Sequence, residues 1–260
     1  MSFSWLHRID ALLLAAALFI AMLLLVIVGR NAARLWNKEA EEPEGGVKNL
    51  LTVLYALSGF ILAFTFGMSG TRFEKVRAVI AEEANTIGTA ILRADLYSDS
   101  VRQVFRADFK NYLEAVVTYY SNPKNLDLVM KSREDAAKAA DRLWSLASQQ
   151  SKLPAMLTAS QQMIPALNKM FDSAQTRQIV LMSHVPDLII YMLFICVLTT
   201  CFAGGFTSKV VTYKDWIIIV GFALVSVMVI YTTLDLSRPM RGIIKAERGQ
   251  DAIKEMLKMF

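Results

Sequence analysis

Side chains that commonly carry chemistry are scarce in this 260-residue chain. The two histidines, His7 and His184, stand far apart, and neither has a cysteine or carboxylate at zinc-ligand spacing. Cys196 and Cys201 lie five residues apart inside an apolar run and read as small packing residues in a reducing compartment. Gly67–Arg72 (GMSGTR) has the glycines of a phosphate loop but lacks its lysine and the strand that would precede it. No nucleophile elbow or kinase signature is present. The expectation is a protein that is not an enzyme and that holds no metal or cofactor.

The informative polar residues sit inside or beside long apolar runs. In the second run, Ser58, Thr65 and Ser69 share one sector of a helical wheel, and hydroxyls in a stripe suit a water-lined ion path. Interhelical hydrogen bonding is the plainer use of the same hydroxyls. Phe60 and Phe64 lie more than 120° away and could form an apolar constriction that gates by dewetting. Both faces cannot point at one axis, and the Ser58, Thr65 and Ser69 face is the expected lining, with Phe60 and Phe64 as the competing gate. Beyond this run, Glu82, Glu83, Asn85, Arg93 and Asp95 mark a segment that could be a polar vestibule, a subunit contact or a solvated ion-pair ladder. Asp235 and Arg238 fall at the end of the last run, where an acid needs a basic neighbour, so an interfacial ion pair is expected. His184 and Asp187 flank Pro186 at the matching place before the third run, as an ordinary hydrogen-bonding pair or a pH sensor.

These residues must be held by membrane helices. Fully 55% of the chain is hydrophobic, concentrated in runs at about 11–28, 50–69, 188–206 and 216–234. A helix rising about 1.5 Å per residue crosses the hydrocarbon core in roughly 20 residues. With no water to satisfy the backbone there, such runs must be helical. The first run is too long for a cleaved signal peptide, and RNAAR at 30–34 is a poor cleavage site. Lys and Arg are denser beside the N-terminus, the insert and the C-terminus (Arg72, Lys75, Arg77, Arg238, Arg241, Lys245) than beside the two connecting loops. That bias puts both termini and the insert in the cytoplasm, hence an inner-membrane, multi-pass protein. A net charge of +5 is ordinary for such flanks and mild for nucleic-acid binding, which is not expected.

Between the second and third runs the apolar residues recur at three and four, as in Phe73, Val76, Ile80, Ala84, Ile87 and Ile91. Breaks fall at Ser98-Asp99, at Ser121-Asn122-Pro123 and before Pro154, and kinks are expected at Pro165 and Pro186. With no linker on either side, the membrane helices should run on into the insert. The fold class is therefore an all-α integral membrane protein, four transmembrane helices with a cytoplasmic helical bundle between spans two and three. The expected organisation is a hairpin at 1–70, the bundle at 71–182, a second hairpin at 183–236 and a cytoplasmic tail at 237–260.

The stretch FTFGMSGTRFEKVRAVIAEEANTIGTAILRADL at 64–96, HVPD at 184–187 with Gly204-Gly205, and LDLSRPMRG at 234–242 resemble the bestrophin-like domain family of bacterial membrane proteins. In order and spacing these blocks cover about two thirds of the chain. The family's name implies a similarity to bestrophins, which are pentameric ion channels with four membrane helices and a cytoplasmic helical region. The resemblance thus implies a self-assembling channel for small inorganic ions in a lipid bilayer, with five copies. Span two is expected along the axis on its own residues, because it alone combines a hydroxyl stripe, a small-residue face and a continuation into a polar helix. A non-conducting sensor or scaffold, signalling through the helical bundle, is the alternative. Two departures are visible: Glu247, Asp251 and Glu255 in the tail form no acidic calcium-binding cluster, and span two has no proline.

Overall fold

A computed structural model of the chain describes residues 10–36, 45–122, 125–183, 185–207, 213–238 and 247–260. His7, His184 and the acidic loop at 39–44 lie outside the described residues. The described chain is all helical: α1 (Ala11–Trp36), α2 (Gly45–Arg93), α3 (Asp99–Ser121), α4 (Leu126–Gln150), α5 (Leu157–Met182), α6 (Asp187–Thr207), α7 (Tyr213–Leu236) and α8 (Glu247–Met256), with short 3-10 turns at Ala94–Leu96, Pro154–Met156 and Leu257–Met259. Four helical stretches are long and apolar enough to cross a membrane, and they contain the four apolar runs. The contacts divide the chain into two compact units, residues 1–72 with 184–237 and residues 73–183 with 238–260.

In the first unit α1 packs on α6 and α7. Ala11, Ala15, Leu18, Met22 and Val26 recur at three and four along α1 and are buried, as are Ile190, Leu193 and Val197 of α6. The outward positions are equally apolar: Leu12, Leu13, Ile20 and Leu24 on α1, Ile217, Ile218 and Met228 on α7 are all more than half exposed. A helix hydrophobic all round belongs in a nonaqueous solvent. Glycines set how close α1 and α6 come. A β-carbon on Gly29 would strike the Phe202 carbonyl, and one on Gly205 would strike the Val26 carbonyl and come within 2.8 Å of the Val26 Cα. Small residues at such crossings let membrane helices touch backbone to backbone, where packing and not hydrophobicity drives association.

The second unit has an ordinary core. Phe105, Phe109 and Leu113 from α3 meet Leu143 from α4, Met163, Leu167 and Met170 from α5, and Val76, Ile80, Ile87 and Ile91 from α2, all fully buried. Asn125 caps α4 through its side chain, which accepts the Leu128 N–H at 3.2 Å.

Three features differ from or extend the sequence expectation. Helix α2 runs 49 residues without a break, so span two does continue beyond its apolar run. Pro186 does not kink a continuous helix: α5 stops at Met182 and α6 begins at Asp187, because the residue before a proline is driven out of helical conformation. Pro165, by contrast, is accommodated within α5. The stretch expected to be a tail holds α8, which packs on α3 with Ile253 fully buried. The Arg106 guanidinium donates to the Met259 carbonyl at 3.3 Å, and a β-carbon on Gly88 would lie 3.6 Å from the Met256 methyl.

Candidate functional site

The first 28 residues of α2 belong to the first unit, and they present two unlike faces. Ser58, Thr65 and Ser69 are each fully buried. The Ser58 hydroxyl lies 2.7 Å from that of Thr200 and 3.3 Å from the Cys196 sulfur, both on α6. Thr200 in turn donates back to the Cys196 carbonyl at 2.8 Å. Thr65 donates to the Ile61 carbonyl of its own helix, and Ser69 lies 3.3 Å from the Ser237 hydroxyl just past α7. One turn further, Arg72 donates to the Ser237 carbonyl at 3.0 Å. Tyr55 extends the same face, its ring edge-on to Phe222 at 5.1 Å and its hydroxyl against Gly204, where a β-carbon would come within 2.6 Å. Ser58 and Ser69 are thus turned to α6 and the residue after α7 as interhelical hydrogen bonds, while the buried Thr65 bonds back into its own helix.

The opposite face is open. Phe60 and Phe64 are 67% and 56% exposed, with their rings stacked at 6.4 Å and 15°. Leu50, Val53 and Leu57 continue that face toward the start of α2 and are exposed as well. A β-carbon on Gly59 or Gly67 would meet nothing within 4 Å. Among the described residues the two stacked phenylalanines have each other as ring partner and otherwise face outward.

In the second unit the 82–95 segment separates into surface and core. Glu82 is half exposed and pairs with Lys169 of α5 at 3.0 Å. Asn85 is exposed, and its backbone carbonyl accepts the Thr89 hydroxyl at 2.9 Å. Arg93 is half-buried, and Asp95 pairs with Arg106 of α3 at 3.2 Å. Thr86, one turn beyond Glu82, turns inward to the Ser173 hydroxyl at 2.7 Å.

Glu83 goes entirely inside. Its carboxylate accepts the Tyr120 hydroxyl at 2.8 Å and lies 3.2 Å from the Arg177 guanidinium. Arg177 also donates to the Tyr120 oxygen at 3.3 Å and sits over the rings of Tyr119 and Tyr120 at 5.1 and 5.4 Å. Burial pushes the Glu83 carboxyl above the usual carboxylate range, and Arg177 and the Tyr120 hydrogen bond pull it partly back. Burial and the Glu83 charge both raise the Tyr120 and Tyr112 phenols, so they remain protonated donors. Burial pulls the Arg177 guanidinium down, but the Tyr120 oxygen and the Glu83 carboxylate beside it outweigh that and keep it charged. Three helices, α2, α3 and α5, are thereby tied by one ionic centre.

That centre does not assemble from the sequence alone, where Glu83 is a vestibule candidate and neither Tyr120 nor Arg177 is singled out. The signal was present: Glu83 occupies a core position between Ile80 and Ile87, and Arg177 follows Met163, Leu167, Met170 and Ser173 at helical spacing. Opposite charges in two apolar registers imply a buried pair, since a lone buried charge is too costly. At the end of α7, Asp235 is only 4% exposed, and Arg238 is half-buried.

The model of the family called the bestrophin-like domain matches residues 12–250. Among solved structures, the bacterial bestrophin homolog of Klebsiella pneumoniae carrying a tryptophan-to-alanine mutation superposes with a TM-score of 0.68 at 11% identity, covering 96% of this chain and 98% of that one. The same homolog with an isoleucine-to-threonine mutation gives 0.65 at 11% identity, over 94% and 98%. These are likenesses of fold. None of the curated proteins matches the sequence. With a family match that runs from the start of α1 into α8, the chain belongs to the bestrophin-like domain family of membrane proteins.

Proposed function

We propose that the chain is one subunit of a homo-oligomeric ion channel in the bacterial inner membrane, five copies surrounding an axis along which small inorganic ions pass. The axis is lined by α2 from each copy, with Phe60 and Phe64 as its apolar constriction. The observation that carries this reading is the split of α2: its hydroxyl face is fully buried, with Ser58 and Ser69 spent on α6 and the residue after α7, while Phe60 and Phe64 stand exposed and stacked. Membership of a family named for its likeness to bestrophins supports a channel over other membrane functions.

Four membrane helices are too few to enclose a wide pore, so an ion path needs an axis shared between copies. A ring of phenylalanine pairs on that axis would exclude water when narrow and conduct when slightly widened. Gly67, one turn beyond Phe64 on the same face, adds no side chain, so the path would broaden there. Ser58 and Ser69 then act as the hydrogen bonds that fix the rotation of α2 in its subunit, with Thr65 packed between them, and so keep the aromatic face pointed at the axis. Glu82, Asn85 and Asp95, exposed further along α2 and in the turn after it, are the acidic and amide groups available to a vestibule. The basic flanks put that end, and both termini, in the cytoplasm.

Purified protein in planar bilayers tests the reading. Discrete currents that scale with protein and require the intact chain are expected. Silence across pH, salt and calcium conditions would favour a sensor or scaffold that uses the same helices without conducting.

A further inference from the structure

A groove of about 560 Å³ opens on the second unit between α3, α4 and α5. Helix bundles usually fill such a seam with leucine, because interiors pack to crystal-like density. Here the facing positions are alanines: Ala115 on α3, Ala136 and Ala140 on α4, Ala174 on α5. The volume falls within the 300–1,000 Å³ range of small-molecule sites.

The groove is polarised along its length. Asp108 pairs with Arg142 at 2.6 Å across α3 and α4, which are joined by residues 122–125, so the two run antiparallel. Helices α4 and α5, joined by residues 151–156, also run antiparallel. Tyr119, Arg133 and Arg177 therefore share one end, and Trp144, Asp141 and Asn168 lie toward the other, with Phe171 between. Arg177 is already neutralised by Glu83, but Arg133 is exposed and has no ion-pair partner among the described residues. Elsewhere on α4, Lys138 is paired with Glu134 and Arg142 with Asp108. The lining thus offers one uncommitted guanidinium at one end, an aromatic and methyl-lined floor, and a single acid at the far end that would repel a second negative charge.

We infer that this groove is a binding site for a small amphipathic monocarboxylate, its head group on Arg133 and its apolar body along Ala136, Ala140 and Phe171 toward Trp144. A guanidinium recognises a carboxylate through two parallel hydrogen bonds, and the alanines leave the room that the body takes. Tyr119 and Arg177 form the wall behind the head group, so an occupied groove also buttresses the ionic centre on α2. The inference is independent of conduction.

The test uses the full chain in nanodiscs and 19F NMR of 3-(4-fluorophenyl)propionate, with 3-(4-fluorophenyl)propan-1-ol as the uncharged counterpart and empty nanodiscs as the partition control. Saturable line broadening by the carboxylate above the control is expected, with the alcohol binding at least about tenfold more weakly, as loss of a charge-assisted pair implies. Arg133→Gln, on an exposed turn, should weaken the carboxylate about tenfold and leave the alcohol unchanged. Ala140→Leu should abolish both while circular dichroism and elution volume remain those of the parent. No saturable binding would overturn the inference and leave the groove to be covered by another copy or by lipid. Equal binding of acid and alcohol, or an unaffected Arg133→Gln, would overturn the carboxylate assignment.

Discussion

Arg177→Met isolates the buried ionic centre, because methionine keeps most of the side-chain volume and removes the charge. Glu83 is fully buried, so the variant strands a carboxylate whose remaining contact is the Tyr120 hydroxyl. Removing one partner of a buried pair costs about 3–5 kcal/mol. The cost has a ceiling, since Glu83 can take up a proton instead. From the ordinary glutamate pKa of about 4.3, protonation at pH 7 costs about 3.7 kcal/mol at about 1.36 kcal/mol per pH unit. At about 2–4 °C per kcal/mol for a chain of this size, the unfolding midpoint in detergent should fall by roughly 10 °C at pH 7.

The same reasoning fixes the sign of the pH dependence. In the variant the folded-state pKa of Glu83 lies well above its unfolded value, so the folded state binds the proton more tightly. That stabilisation is complete below the unfolded pKa and is lost as pH rises through the folded one. Lowering the pH from 7 to 5 should therefore recover most of the loss in Arg177→Met, by up to about 2.7 kcal/mol. The double variant Glu83→Gln with Arg177→Met has no charge to strand and should be more stable at pH 7 than Arg177→Met alone. Midpoints read by tryptophan fluorescence at a fixed scan rate suffice for the comparison. An Arg177→Met midpoint within 2 °C of the parent, or one that falls further in acid, would refute the reasoning.

Other consequences can be checked with the same material. Gly205→Leu should separate α1 from α6 and cost well over ~1 kcal/mol of stability, because its side chain meets the Val26 backbone, which cannot swing aside; Gly59→Ala, in open space, should be neutral or slightly stabilising in the isolated subunit. Ser58→Ala removes the bond to Thr200 and should cost only about 0.6 kcal/mol, the average for such bonds in membranes, with unit conductance unchanged. Ile253→Asp should release α8 from α3, so that limited proteolysis cuts near residue 250 while the rest of the chain stays resistant.

The large-scale architecture was legible because the membrane imposes length and apolarity, and α1, α6 and α7 overshoot their apolar runs only by the turns that reach the interface. The continuation of α2 could be read from the absence of any proline or linker between Ser69 and Arg93, where the isolated Gly70 and Gly88 do not interrupt the apolar period. What proved opaque has physical reasons. Pro186 kinks a helix only where neighbours re-satisfy the freed backbone groups; otherwise it ends it, and sequence does not say which. The helix α8 rests on Ile253 and a few flanking positions, too short an amphipathic stretch to announce itself. Ser58, Thr65 and Ser69 share a face in the helical wheel, but whether that face meets α6 or an axis depends on partners that periodicity does not name. Glu83 was visible as a polar residue and unreadable as a core one until its register was set beside that of Arg177.

The most direct test of an ion path along the aromatic face of α2 is side-chain accessibility from the aqueous phase in a protein that carries current. In a background with Cys196→Ala and Cys201→Ala, single variants Phe64→Cys and Ser58→Cys are exposed to a charged methanethiosulfonate reagent during bilayer recording. The expected result is that Phe64→Cys is modified and its current changes stepwise, whereas Ser58→Cys, enclosed against α6, is unaffected. Modification at position 58 with none at position 64 would contradict the proposed lining and return the hydroxyl face to the axis.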